Sequence, residues 1–179
     1  MIITATERLV IRDLVQGDAG HIRELNNDPE VLRYVGDRPF PDSGAAERWI
    51  ASYPASLPHG FGRWSVTLAD GTWIGRCSLQ RDASGETQTG YRLLRAYWGH
   101  GYATELVRAL IDLGFDRFEV PYVIANVAPG NTASMRVAEK SGMRFWKEGP
   151  CANFDAALVH RIDRPVASEG RRPITIQIS

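Results

Sequence analysis

The 179-residue chain has little that would tie it to a membrane, a nucleic acid or a metal. No apolar run approaches the roughly 20 residues that a membrane-spanning helix needs. The first residues, Met1-Ile2-Ile3-Thr4-Ala5-Thr6-Glu7-Arg8, lack the basic-then-apolar order of a secretion signal. Charge of one sign is not in excess, because 21 lysines and arginines meet 21 aspartates and glutamates. A protein living on nucleic-acid phosphates normally carries a basic surplus, so no nucleic-acid partner is expected. Cysteine is scarce: Cys77 and Cys151 have no metal-ligand spacing, and free thiols in a reducing cytoplasm are the expectation. Internal repeats and low-complexity tracts are absent too. What remains is a chain of one-domain length, long enough for a real core and expected to be cytoplasmic.

Periodicity supplies the elements. Leu9-Val10-Ile11-Arg12 reads as an opening strand, followed by a helix over Asp18 to Leu25. Asp28-Pro29-Glu30 is a helix start, with Asp as N-cap and Pro at the first helical position. Asp42-Ser43 precedes a helical run from Ala45 to Ile50, and Pro58-His59-Gly60 breaks the chain. Arg63 to Ala69 and Thr72 to Gln80 flank Asp70-Gly71, a hairpin signal because that pair accepts positive φ. Gln88 to Leu94 is a third strand. A helix from Ala103 to about Arg117 follows, then a strongly apolar strand from Val120 to Val127. Pro129-Gly130-Asn131 opens a short helix ending before Gly142, which suits a C′ glycine. Strands are expected over Met143 to Lys147 and Ala157 to Asp163, with Trp64, Trp73 and Trp146 in strands and packed in the core. Residues 164–179 form a polar linker and the alternating stretch Ile174 to Ile178, which suits an edge strand or a homodimer contact.

The segment richest in chemistry is Trp98-Gly99-His100-Gly101-Tyr102-Ala103-Thr104. A glycine turn running into a helix offers free backbone N–H groups and the positive end of the helix dipole, a seat for phosphate. Three cofactors compete for it. A dinucleotide site wants G-x-G-x-x-G or its alanine variant, and Thr104 occupies the last position. A P-loop would need Gly-Lys followed by Ser or Thr, which is missing. Coenzyme A is the third.

For the third, the order of several blocks matters: Thr6-Glu7-Arg8-Leu9 with Ile11-Arg12, Asp28-Pro29-Glu30-Val31 with Arg33-Tyr34, and Gly90-Tyr91. After these come Tyr97 to Glu105, Asn131-x-x-Ser134 and Glu139-Lys140-Ser141-Gly142-Met143. Over residues 4–163 the chain resembles the GNAT superfamily of N-acetyltransferases, most closely its RimJ/RimL-like (ribosomal-protein N-terminal acetyltransferase) branch.

That resemblance implies an α/β GNAT fold over residues 1–163: a mixed, mostly antiparallel sheet with helices on both faces. The strands Gln88–Leu94 and Val120–Val127 should splay to admit an acetyl-pantetheine arm. It implies acetyl-CoA as donor, with the pyrophosphate on N–H groups from Gly99 to Thr104. Trp98, Gly101 and Ala103 fall in the slots of the family pattern, and His100 stands where Lys or Arg is common. The arm would pair with strand backbone around Leu93, and an N–H of Leu93 or Leu94 would steady the oxyanion. Asn131, on its own a simple helix N-cap, would bond the pantetheine. Ser134 would sit by the thioester sulfur as the acid for the departing thiolate, because the tyrosine that many relatives carry one turn later is Ala138 here.

The base is open. Relatives often place a Glu where Gln88 stands, and amide nitrogen cannot serve. Glu86, His160, Asp155 and a water chain are the alternatives. Tyr34, Arg38, Phe40 and Trp49 fall in the segment that in this family covers the acceptor, with Glu86 and Gln88 as further candidates for its wall. The acceptor is an amine, on a protein N-terminus or a small molecule. The competing reading is a non-catalytic CoA-binding or sensory module.

Overall fold

The computed structural model describes residues 1–53, 61–82, 84–151 and 154–165. A first hairpin pairs β1 (Ile2–Ala5) with β2 (Leu9–Asp13). Three helices follow, α1 (Ala19–Asn27), α2 (Pro29–Leu32) and α3 (Ala45–Ala51). A meander of β3 (Gly62–Leu68), β4 (Trp73–Arg81) and β5 (Thr87–Leu93) leads to α4 (Tyr102–Asp116) and β6 (Tyr122–Val127). The chain continues with α5 (Thr132–Lys140), β7 (Arg144–Cys151) and β8 (Phe154–Asp163). These strands make one sheet in the order β1-β2-β3-β4-β5-β6-β8-β7, antiparallel throughout except between β5 and β6. No helix among the described residues is long and apolar enough to cross a membrane.

Local chemistry sets the boundaries. Asp28 caps α2 by accepting the Glu30 N–H at 2.9 Å, with Pro29 at the first helical position. Gly71 turns the β3–β4 hairpin at φ +88°, and Gly142 ends α5 at φ +90°. Helices cover both faces of the sheet. On one, α4 sends Leu106 and Leu110 against Ile74, Leu79 and Val123. On the other, Ile22, Leu25 and Ile50 of α1 and α3 pack on Trp73. The adjacent residues Leu93 and Leu94 serve opposite faces.

Three sequence expectations need correction. β1 was not anticipated; its four residues alternate weakly and are held by pairing with β2. The strand expected from Val120 begins at Tyr122, because Glu119 takes φ +51° and turns the chain, although Val120 is buried. Trp146 is not core. It lies on the edge strand β7, 40 % exposed, with the Arg161 guanidinium 4.8 Å from its ring. The Ile174–Ile178 stretch, Pro58-His59-Gly60 and the Asp155 side chain lie outside the described residues, as does the Cys151 thiol.

Two contacts fix the parts that frame the site. The buried Asp18 accepts from both Arg12 Nη atoms (2.7 and 2.8 Å), the Ser65 hydroxyl (2.8 Å) and the Val15 N–H (3.0 Å). Burial alone would raise the Asp18 carboxyl, but these donors outweigh it and hold it below the usual carboxylate range. At Gly75, β4 approaches β5 so closely that a Cβ would lie 2.2 Å from the Arg92 carbonyl oxygen. Gly75→Ala should therefore cost about 1–3 kcal/mol, measured as a fall in the urea midpoint; an unchanged midpoint would contradict the close approach.

Candidate active site

The sheet opens in one place. β5 and β6 are the parallel neighbours, and their only register pair is Gln88 with Ile124. The strands thus separate beyond Gln88, as the resemblance led one to expect. Antiparallel ladders alternate the direction of backbone groups. Leu94 N–H donates to Ile74 O at 2.9 Å, so Leu93 and Tyr91, one and three positions back, turn their backbone edges away from β4 toward this gap. That geometry corrects one candidate: the Leu94 N–H is already engaged, and its side chain packs with the α1–α3 cluster on the other face. Leu93 remains, its carbonyl accepting from Trp98 Nε1 at 2.8 Å.

The glycine turn lies at the end of β5. Gly99 and Gly101 take φ +79° and +81°, and Gly101 caps the 15-residue α4 in the left-handed conformation. The first intrahelical bond is donated by Glu105 N to Gly101 O at 3.1 Å, leaving the N–H groups of Tyr102, Ala103 and Thr104 without helical acceptors. Gly99, His100 and Gly101 are exposed, and nothing lies within 4 Å of a Cβ built at Gly99. The turn is thus shaped by its φ angles, with Gly99 to Gly101 open to solvent, and suits a pyrophosphate.

Sequence reasoning missed the residue that holds this turn. Arg8 Nη1 donates to the His100 carbonyl oxygen at 3.1 Å, and its guanidinium lies 4.7 Å from the Tyr102 ring centroid. Glu105 in the first turn of α4 pairs with Arg8 at 2.6 Å and accepts from the Thr6 hydroxyl at 2.6 Å. The Thr6-to-Arg8 block in the sequence was the available signal, without a partner until the fold joined it to α4.

A cleft of about 590 Å³ runs through the gap between β5 and β6. Asn131, Ser134 and Ala138 line it from α5, and Tyr34, Arg38, Phe40 and Trp49 from the segment after α1. Gln88 also lines it and accepts from Asn126 Nδ2 at 2.7 Å. Asn131 is the N-cap of α5: its Oδ1 accepts from the Ser134 N–H at 3.1 Å, which leaves the amide nitrogen as the group to offer a ligand. Tyr91 lines the same cleft as Ser134, a second residue that the sequence reading had not given a role. Burial pushes the Tyr91 phenol up.

The candidate bases fare poorly. Glu86 precedes β5, is absent from the cleft wall, and has its carboxylate 3.2 Å from Lys147 Nζ. His160 is buried, with Nδ1 3.3 Å from the Leu158 carbonyl oxygen, and is also off the wall. The one carboxylate among the described lining residues is Asp37, which forms an ion pair with Arg92. Cys77 of β4 is free and buried, and burial pushes its thiol well above the usual range. Among the described residues no group of His, Cys, Asp and Glu is arranged for a metal.

Known proteins resemble this chain in sequence and in fold. The sequence profile of the acetyltransferase (GNAT) domain matches residues 8–144. The chain is 33 % identical over 162 residues to the uncharacterized N-acetyltransferase p20 of Bacillus licheniformis, covering 88 % of this chain and 90 % of that protein. The crystal structure of a GNAT-family acetyltransferase from Bacillus anthracis superposes with a TM-score of 0.77 at 25 % identity, covering 91 % of this chain and 98 % of the other. A spermidine N-acetyltransferase from Vibrio cholerae, solved with CoA and spermine, superposes with a TM-score of 0.73 at 18 % identity, over 88 % and 96 % of the two chains. This last likeness is one of fold.

Proposed function

The chain belongs to the GNAT acetyltransferase family, and from that premise we propose that it moves the acetyl group of acetyl-CoA directly to a primary amine, on a protein N-terminus or a small molecule. One observation carries the reading: β5 and β6 part beyond Gln88, and the cleft through the gap has Ser134 on its wall. The glycine turn would hold the pyrophosphate on the N–H groups from Gly99 to Thr104, with Trp98 and His100 beside it. The pantetheine would run toward the gap along the backbone edge of Leu93, within reach of the Asn131 amide nitrogen.

The neutral amine attacks the thioester carbonyl carbon, and a β5 N–H at Leu93 supports the charge that develops on oxygen. The C–S bond then breaks. Ser134 gives its proton to the thiolate and takes one back from water in the cleft, whose wall Tyr91 shares. No acyl-enzyme forms. With Glu86 held by Lys147 and Gln88 unable to act as a base, the amine loses its proton to water in the cleft.

The blocks from Thr6 to Met143 favour the RimJ/RimL-like branch within the family, and the free, buried Cys77 agrees with a reducing cytoplasm. Thiol release should be followed with acetyl-CoA and a panel of amines, comprising peptides with different first residues and small amines. At least one class should give thiol and acetylated amine in equal amounts. Acetyl-CoA binding with no transfer to any acceptor would favour the non-catalytic alternative.

A further inference from the structure

The acceptor side of the cleft is lined by four guanidiniums and one carboxylate. Arg38, Arg63, Arg76 and Arg92 line it together with Asp37. Arg76 and Arg92 are direct register partners across the β4–β5 ladder, so their side chains leave the same face of the sheet. Like charges placed directly opposite destabilise a sheet. Here both are largely out of water: Arg76 is 8 % exposed and the Arg92 side chain 11 %.

Protein groups offset this charge unevenly. Arg92 takes the Asp37 carboxylate and donates to Asn26 Oδ1 at 3.1 Å. Arg63 donates to Gln80 Oε1 at 3.2 Å, with its guanidinium 4.5 Å from the Tyr53 ring centroid. Arg76 has the Trp49 ring at 5.1 Å, and its Nε has no hydrogen-bond partner. Burial, with Arg92 and Arg63 adding repulsion, pulls the Arg76 pKa down to about 9, which leaves it charged at neutral pH. A buried guanidinium without a full set of acceptors is costly to keep. The cost makes sense if a ligand supplies the missing acceptor.

We propose that the acceptor is an amine that also carries a compact oxyanion, a carboxylate, which Arg76 receives on the wall formed by Arg63, Arg76 and Arg92. This rests on the amine-acetylating reading above and adds the charge of the acceptor to it. A polycationic amine would instead meet four guanidiniums.

The test measures kcat/KM at saturating acetyl-CoA for matched series: ω-amino carboxylates of graded length, their carboxamides, and diamines of the same lengths. The best carboxylate should exceed its carboxamide and its diamine by at least about tenfold, the fold-change typical of losing a charge-assisted bond. Arg76→Met should bring the carboxylate-to-carboxamide ratio close to one, and Arg76→Lys should restore part of it. Arg76→Met should also raise the Tm of the ligand-free protein by about 2–4 °C, since it removes a buried charge opposite Arg92; a structural arginine would show a fall.

Equal rates for carboxylate and carboxamide, faster diamines, or an Arg76→Met protein that keeps the ratio would each overturn the proposal. If Arg76→Met fails to fold, the wild-type ratio decides. If no amine in the series is acetylated, the transfer reading fails for this class. The arginine site is then judged by butyrate alone: a rise in wild-type Tm supports it, and no rise overturns it.

Discussion

Gly101→Val is expected to abolish measurable acetyl-CoA binding while the protein stays folded. Gly101 takes φ +81°, a region that a β-branched residue enters only under strain of about 1–3 kcal/mol. The nearest atom to a Cβ built there is Arg8 Nη2 at 3.5 Å, an ordinary contact, so no clash with the body of the protein is at stake. The substitution relieves its strain by turning the peptide groups that aim the N–H row at the pyrophosphate. It also places two methyl groups where the phosphates must approach. Calorimetric titration with acetyl-CoA reads the result, with circular dichroism confirming the fold. Unchanged affinity would remove the pyrophosphate from this turn.

Ser134→Ala should lower turnover by about 10²–10⁴-fold, the range expected on losing a positioned acid, with acetyl-CoA affinity nearly unchanged. The substitution is clean because α5 is capped through the backbone: Asn131 Oδ1 accepts from the Ser134 N–H, which alanine keeps. What disappears is the hydroxyl on the cleft wall that Ser134 shares with Tyr91. Steady-state thiol release beside a binding titration separates the two parts. A loss below severalfold would leave Ser134 as a contact residue and move the proton donor elsewhere, with Tyr91 the neighbouring hydroxyl.

The features legible in the sequence were those governed by local chemistry. Asp70-Gly71, the Asp28 cap and Gly142 announce themselves because each answers a backbone demand within a few residues. The glycine turn and Ser134 were legible through an ordered set of blocks. Features that depend on register were not. Arg76 and Arg92 look like ordinary strand residues until β4 and β5 are aligned, and a slip of one residue would send each to the other face. That alignment is set by the loop at Asp82, whose Oδ1 accepts from the N–H groups of Ser84 and Glu86 at 2.9 and 3.0 Å. Arg8 escaped notice because its partners, Glu105 and the His100 carbonyl, lie more than 90 residues away. Glu86 was misplaced because only the structure shows Lys147 beside it.

The central claim is direct transfer from a donor seated at residues 98–104 to an amine in the cleft between β5 and β6. It is tested most directly by the time course of thiol release after mixing enzyme with acetyl-CoA, first without an amine and then with one. The account predicts no burst without the amine, and release that begins on its addition and matches the acetylated product mole for mole. A burst equal to the enzyme concentration before any amine is present would reveal an acyl-enzyme and contradict it.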